Sequence, residues 1–242
     1  MKKPQYGLDA PSVTKKLFLF GILTAVISLV LLLFLPGVIF IIIGIAFACT
    51  GVCLLITGLL MVLSSKVGKM KEREKLLDRL CLSGNENILD VGCGRGLYLI
   101  GAAQRLTNGG TAVGIDIWQS EDLSHNSQKN TLANARFAGV LERVSVQTAD
   151  MRHIPFTDGA FDVVLSCLAI HNIYDKDERE KALSEIVRVL KPGGKLCIVD
   201  MRYIKDYVRF FEEKGISIQT TTRLKWVFPK SLAIIGIKQV QQ

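Results

Sequence analysis

Between Leu17 and Ser65 the chain carries no Asp, Glu, Lys or Arg, a gap of 49 residues in a sequence of 242. Soluble domains carry about 25% charged residues throughout their length, so the gap excludes a simple soluble protein. Histidine is nearly as scarce: His125, His153 and His171 stand far apart, and no metal centre is expected from their spacing. The six cysteines form no C-x-x-C pair, since Cys49 and Cys53 fall inside the apolar gap and Cys81, Cys93, Cys167 and Cys197 are scattered. That excludes a disulfide ladder and a zinc site, and it points to a reducing compartment. Acidic residues are outnumbered 22 to 30, which leaves a net charge of +8. Lys2, Lys3, Lys15 and Lys16 against Asp9 give +3, residues 66–80 give another +3, and only +2 remains for residues 81–242. The basic excess therefore flanks the apolar gap and forms no aromatic-interleaved face, which argues against nucleic acid as a partner.

A helix of 49 residues would be about 73 Å long, more than twice the ~30 Å hydrocarbon core of a bilayer. Pro36-Gly37 divides the gap into two spans, residues 17–35 and 38–63, each long enough to cross. The segment is too long for a signal peptide and is expected to be retained. Lysines lie at both outer ends and none at the turn, so the positive-inside rule places both termini, and the rest of the chain, in the cytoplasm. Gly44, Ala48 and Gly51 would let the two helices approach closely, or would form a dimer face. No charged or histidine side chain lies in the spans, so an anchor is expected and not an ion pathway.

Residues 1–16 form a basic head, and residues 66–83 read as a linking helix at the surface, with Met70, Leu76, Leu77 and Leu80 as its apolar set. The remaining 84–242 alternate between strand and helix patterns. Strands are expected at Asn87–Val91, Thr111–Ile117, Val144–Thr148, Phe161–Cys167, Lys195–Asp200, Ile216–Arg223 and Ser231–Lys238. Helices are expected at Leu97–Leu106, Glu121–Gly139, Lys176–Leu190 and Tyr203–Lys214. Buried Val, Ile and Leu strands with intervening helices imply an α/β fold, a doubly wound, seven-stranded, mostly parallel sheet preceded by the two-helix hairpin.

In such a sheet ligands bind at the carboxyl ends of the strands. The first strand runs into Asp90-Val91-Gly92-Cys93-Gly94-Arg95-Gly96, a glycine turn leading to a helix. Its spacing is G-x-G-x-G and not the G-x-G-x-x-G that seats a pyrophosphate on a helix N-terminus. Asp90 would repel a pyrophosphate and suits a ligand bearing an amino group. Asp116 ends the second strand 26 residues later, where a carboxylate can accept both ribose hydroxyls, or can simply cap the next helix. Asp150 follows the third strand, where an acceptor can take an adenine amino group. A stretch Ile154-Pro155-Phe156-Thr157-Asp158 and a turn Leu190-Lys191-Pro192-Gly193-Gly194 come after it.

Together these motifs resemble the class I S-adenosylmethionine-dependent methyltransferases, in the small-molecule branch that includes the type 11 domain. The resemblance spans residues 84–240. It implies that Asp90, Gly92, Cys93 and Gly94 border the methionine part of S-adenosylmethionine. It further implies that Asp116 takes the ribose, Ile117 flanks the adenine, Asp150 and Met151 read its edge, and the Ser166-Cys167 backbone faces the amino-acid end. Cys93 and Cys167 have no neighbour that would lower a thiol pKa, so packing is their expected contribution. His171, just past the fourth strand, is the candidate catalytic group: a general base for the acceptor, or a residue that shapes the loop. His153 reads as exposed loop and Trp118 as core.

The implied activity is direct methyl transfer to a small acceptor, and a membrane tether favours a lipophilic one or a lipid. The rivals are a nucleotide-cofactor oxidoreductase, opposed by the glycine spacing and Asp90, and a noncatalytic tethered module, opposed by the intact loop. The hairpin is expected mainly to localise the enzyme. The alternative is that residues 69–82 and the bilayer surface complete the roof of the site.

Overall fold

The computed structural model describes residues 4–240. Two long helices come first, α1 at Pro11–Phe34 and α2 at Val38–Leu63, with the turn at Pro36-Gly37 between them. Helix α1 starts six residues before the apolar gap because Pro11, with its fixed φ and missing N–H, is suited to a first turn. Lys15 and Lys16 are therefore helical. Both helices are long and apolar enough to cross a membrane.

Their contact is built from small residues at seven-residue intervals. Thr14, Gly21 and Ser28 are buried on α1, and Gly44, Gly51 and Gly58 on α2, while the large aliphatic side chains point outward. A Cβ on Gly51 would come within 3.0 Å of the Gly21 carbonyl oxygen, and one on Gly44 within 2.8 Å of the Leu32 side chain. Ser28 Oγ donates across the seam to the Gly44 carbonyl at 2.7 Å. A seven-residue repeat keeps one face of each helix against the other as they coil, so the close-approach stripe serves the hairpin itself. Ala48 is half-buried beside it.

Helix α2 does not end at the edge of the apolar segment. Ser64–Gly68 forms a wider π-type turn and α3, Lys69–Arg79, carries on, so helical structure is continuous from Val38 to Arg79. The extra residue of a π-turn rotates the helix face that follows it. Leu76, Leu77 and Leu80 are buried as a result, against α4 (Leu97–Ala103), and Met70 stays exposed. Gly101 of α4 admits the approach: its Cβ would meet Arg73 Cδ at 2.7 Å and Leu77 Cδ1 at 2.9 Å. The expected surface linker is thus part of the core, because three leucines on one face gain more by burial, roughly 1.5–3 kcal/mol each, than an exposed helix could.

The strands are β1 (Asn87–Val91), β2 (Thr111–Asp116), β3 (Val144–Thr148), β4 (Phe161–Cys167), β5 (Leu190–Asp200), β6 (Ile216–Arg223) and β7 (Leu232–Lys238). They form one seven-stranded sheet in the order β3-β2-β1-β4-β5-β7-β6. The first five are parallel, and β7 is antiparallel to β5 and to β6. Helices α3 and α4 cover one face; α6 (Lys176–Val189) and α7 (Ile204–Glu213) cover the other with Leu183, Ile186, Tyr207 and Phe211. The order of strands reverses between β1 and β4, which fixes where a ligand cleft opens.

Beyond the start of α1, two boundaries lie five residues or more from the sequence expectation. Strand β5 starts at Leu190, since Leu190 pairs with Phe161 before the register shifts at Val163. Helix α5 is only Gln128–Phe137, capped by Ser127, whose side chain accepts from Asn130 N–H. Residues 121–127 form a loop instead, drawn to the chain's first residues: Ala10 N–H donates to Asp122 O at 2.8 Å and Ser124 N–H to Leu8 O at 3.0 Å. Asp9 bridges to Leu123, so the described part of the head, residues 4–10, is a strap laid along this loop and not a free segment.

Replacing Gly51 by Leu is expected to splay the hairpin and cost about 1–3 kcal/mol, as overpacking does in tight contacts. Thermal unfolding in micelles should show the loss, whereas Leu33→Val, on the outward face, should leave the transition nearly unmoved.

Candidate active site

A cavity of about 480 Å³ opens at the carboxyl ends of β1, β2 and β4. Its floor is the glycine turn after β1. Gly92, Gly94 and Gly96 have φ of 70°, 51° and 83°, a left-handed conformation at alternate positions that explains the G-x-G-x-G spacing. The turn is tied to β2, for the N–H groups of Gly92 and Cys93 both donate to Ile115 O at 2.8 and 3.0 Å. It also touches the segment after β4: a Cβ on Gly92 would fall 2.3 Å from the Ala169 Cβ.

Asp90 lies at the back of this turn, 1% exposed. Gly96, the N-cap of α4, offers no side-chain cap, and Asp90 Oδ2 fills that role by accepting Leu99 N–H at 2.8 Å. Its other oxygen, Oδ1, has no partner. Burial pushes the Asp90 carboxyl up to about 7; the Leu99 N–H opposes that rise and the neighbouring charge of Asp116 adds to it.

Asp116 closes the loop at its other end. Its Oδ2 accepts Gly94 N–H at 2.8 Å, and its Oδ1 accepts Trp118 N–H at 2.6 Å and Asn126 Nδ2 at 3.2 Å. The next residue, Ile117, is 51% exposed and presents its side chain at the cavity. Asp150 and Met151 also line it, but the Asp150 carboxylate is gripped by Arg152, with Nε to Oδ1 and Oδ2 each at 3.0 Å. That guanidinium holds Asp150 below the usual carboxylate range, and its Nη1 reaches on to Glu178 Oε2 at 3.0 Å.

Cys93 and Cys167 line the cavity as well, with their thiols pushed well up by burial, so neither is a thiolate. Cys93 Sγ would lie 2.7 Å from a Cβ on Gly114, a contact of packing. His171 is not in the cavity wall. Its Nδ1 lies 2.5 Å from Asp200 Oδ1 and its N–H donates to Asp200 Oδ2 at 3.0 Å, while Asn172, Ile173 and Tyr174 face the cavity. Trp118 packs on the core and bonds Thr148 Oγ1 at 2.8 Å through Nε1. His153 is exposed and outside the wall.

Tyr6 and Asp9 from the strap, which sequence reasoning left out, help complete the wall together with Lys69 from the first turn of α3, the segment weighed as a roof. They are held by a closed set of bonds. Asp9 N–H donates to Ser65 Oγ at 3.2 Å, Ser65 Oγ returns a bond to Asp9 Oδ2 at 2.9 Å, and Lys69 Nζ meets Asp9 Oδ1 at 2.7 Å. Burial works against the Lys69 charge, but the carboxylate of Asp9 outweighs it and raises the Lys69 pKa above its ordinary value. Asn134 of α5 staples the strap further out, accepting Gln5 N–H and donating to Gln5 O, both at 2.9 Å. One sequence signal pointed here: Asp9 is the lone carboxylate in a basic head.

The site is polar beyond what it satisfies. Among the described residues, four buried side-chain polar atoms lack a hydrogen-bond partner, and three of them, Asp90 Oδ1, Arg95 Nε and Asn126 Oδ1, belong to residues of this cavity. Native interiors leave few such groups, and a cluster of them marks a place where a polar ligand completes the set. An ammonium suits Asp90, hydroxyls suit Asp116 and Asn126, and a flat ring suits Ile117 and Met151. No group of His, Cys, Asp and Glu side chains able to hold a metal occurs among the described residues.

Comparison with known proteins bears on the domain that carries this cavity. Residues 89–198 match the methyltransferase domain family. A methyltransferase of Streptomyces halstedii is 34% identical over 128 residues, 53% of this chain and 42% of that protein. Demethylmenaquinone methyltransferase of Lactiplantibacillus plantarum is 33% identical over 128 residues, 53% of this chain and 50% of its own length. The chain thus spans half or less of the length of these relatives. Among solved structures, geranyl diphosphate methyltransferase in complex with S-adenosylmethionine has a TM-score of 0.57 and 17% identity, covering 70% of this chain and 85% of that one. The cyclase SpnF has a TM-score of 0.59 and 19% identity, covering 71% and 82%, and both likenesses concern the fold. Residues 89–198 thus form a methyltransferase domain, carried on a sheet with the Rossmann-like fold of S-adenosylmethionine-dependent methyltransferases.

Proposed function

We propose that this protein is an S-adenosylmethionine-dependent methyltransferase anchored by α1 and α2, with both ends of the hairpin on the cytoplasmic side, that methylates a small lipophilic acceptor drawn from the membrane. One observation carries the reading: the cavity at the glycine turn shares its wall with Lys69 and Asp9, which lie at the point where the apolar hairpin meets the sheet domain. An acceptor dissolved in the bilayer would have a short path to that wall. Relatives named for demethylmenaquinone and for sterol 4-C-methylation support an acceptor of this class.

When bound, S-adenosylmethionine supplies an electrophilic methyl on its sulfonium, so the chain's own task is to orient and to exclude water. Asp116 and Asn126 would receive the ribose hydroxyls, Ile117 and Met151 would sandwich the adenine, and Asp90 Oδ1 would accept the ammonium. Gly92 and Gly94 leave bare backbone for the ligand to lie on, beside Cys93 and Cys167. Asp150 contributes to the adenine end through a carboxylate that Arg152 keeps charged. His171, held by Asp200, is assigned to shaping segment 168–174, whose Asn172 and Tyr174 face the acceptor side. Strap residues Tyr6 and Asp9 close the cavity, so the head serves the site as well as orientation.

The full-length protein in lipid nanodiscs, given labelled methyl donor and a total lipid extract, should yield a labelled organic-phase product. Absence of both product and cofactor affinity in calorimetry would overturn the assignment.

Two further results are expected. Asp116→Ala should weaken cofactor binding by about 1–3 kcal/mol and leave the protein folded, because a charge-assisted acceptor is lost. The second follows from the Asp90 carboxyl, raised to about 7 in the folded chain. Only its ionised form attracts an ammonium, so cofactor affinity should climb with pH through about 7. The folded state, which keeps that proton longer than the unfolded chain, should meanwhile lose stability as pH rises from about 4 to 7, then level off. Both slopes should flatten in Asp90→Asn, read by calorimetry and thermal unfolding at stepped pH.

A further inference from the structure

After Glu213 the chain contains no acidic residue, yet it carries Lys214, Arg223, Lys225, Lys230 and Lys238. Two of these lysines bracket the loop between β6 and β7, Lys225-Trp226-Val227-Phe228-Pro229-Lys230. The loop is split by side-chain direction. Leu224 and Val227 turn into the core beside α3 and α4, whereas Trp226 is 56% exposed and Phe228 37%. Two aromatic rings directed outward on a loop pinned by buried neighbours form a fixed apolar projection.

The place where the loop is pinned gives the projection its meaning. It packs on the π-turn that ends the apolar helix: Phe228 N–H donates to Ser64 Oγ at 2.8 Å, and a Cβ on Gly68 would fall 1.7 Å from Trp226 O. Lys71 Nζ lies 5.0 Å from the Trp226 ring centroid. Leu63, Val67 and Met70, spaced as one helix face, remain exposed at the same level. From Val38 to Gly68 is about 45 Å along the helix, which matches the ~40–45 Å thickness of a bilayer with its headgroups. With the turn at Pro36-Gly37 in the far headgroup layer, the Trp226 loop falls in the near one.

The charges agree with that height. Lys66, Lys71, Lys225 and Lys230 are all exposed, and none forms an ion pair among the described residues, although other lysines of the same region, Lys69 and Lys75, do. Tryptophan prefers the headgroup layer, where the ring is half apolar and half wet, and lysine beside it is drawn to anionic lipid.

We propose that the β6–β7 loop is a membrane-surface docking site, seating Trp226 and Phe228 in the headgroup layer of a bilayer containing anionic lipid while Lys66, Lys71, Lys225 and Lys230 contact lipid phosphates. The inference rests on the membrane-anchored reading and goes beyond it. A hairpin alone leaves the rigid frame free to tilt as a whole in the bilayer; the loop gives it a second foothold, which holds the Lys69 wall of the cavity at headgroup level.

The test uses the full-length protein with Trp118→Phe, which leaves Trp226 as the single tryptophan, in nanodiscs of phosphatidylcholine with or without phosphatidylglycerol. Seating in the headgroup layer should blue-shift the Trp226 emission, and lipids brominated near the headgroup end of the chain should quench it, more strongly with phosphatidylglycerol; Lys225→Ser with Lys230→Ser should weaken that preference. The difference in emission between the unaltered protein and Trp226→Phe reads the same signal without the Trp118 change. Cys49 and Cys53, inside the hairpin, report insertion independently through protection from an impermeant maleimide read by mass spectrometry. Protected cysteines with Trp226 quenched by iodide and untouched by bromolipid would overturn the docking site and leave the anchor standing. Labelled cysteines with no lipid association would overturn both.

Discussion

Helical hydrogen bonding that does not break between Val38 and Arg79 is the constraint on which the arrangement of this protein depends. A flexible linker after the apolar segment would leave the sheet domain loose beneath a membrane. The continuous helix instead delivers Leu76, Leu77 and Leu80 into the core at a fixed distance from Leu63, so the apolar hairpin and the sheet are parts of one rigid frame. The π-turn at Ser64–Gly68 is the local adjustment that allows this, since it turns the leucine face toward the sheet without interrupting the helix. The same turn presents the buried Ser64 and Ser65 as hydrogen-bonding posts, one for the β6–β7 loop and one for the strap.

The cavity shows a second tension, between stability and use. Buried groups without partners destabilise a fold by roughly 1–3 kcal/mol each, and this chain keeps three of them around one cleft. Elsewhere, His171 Nδ1 apart, its buried polar residues are well served: Asn134 meets Gln5 and Arg95, Thr131 meets Gly94 O, and Ser166 meets Val91 O. The contrast marks this cleft as the part that the protein alone leaves unfinished. Asp90 is the sharpest case, because one of its oxygens builds the structure by capping α4 and the other has nothing to do until a donor arrives.

Much of the fold was legible in the sequence wherever the signal was local. Strands β1, β4 and β6 have the expected bounds, since runs such as Phe161–Cys167 are rich in β-branched and aromatic residues and end at turn residues. The glycine turn and Asp116 were legible for the same reason, as backbone constraints written in a few adjacent residues. What escaped depended on contacts across long separations. Residues 121–127 are held as a loop by Leu8 and Ala10, and no window of sequence contains both partners; their Asp, Ser and Asn, better suited to caps and turns than to a helix, were the one local sign of it. His171 sits at a position that faces the cleft in sequence order, yet the buried Asp200, 29 residues on, takes its imidazole. Lys69 looked like one more flanking charge because its partner Asp9 lies on the far side of the hairpin, 60 residues away.

The strap has a consequence for the order in which the molecule comes together. Gln5 is fastened to Asn134 and Leu8 to Ser124, contacts separated by 129 and 116 residues. During synthesis Gln5 and Leu8 therefore wait for partners made more than a hundred residues later, while the hairpin between them has long been available. The amino-terminal strap is the last wall to be hung, and a closed cleft is a certificate that the helices on either side of Pro36-Gly37 have already folded back on one another.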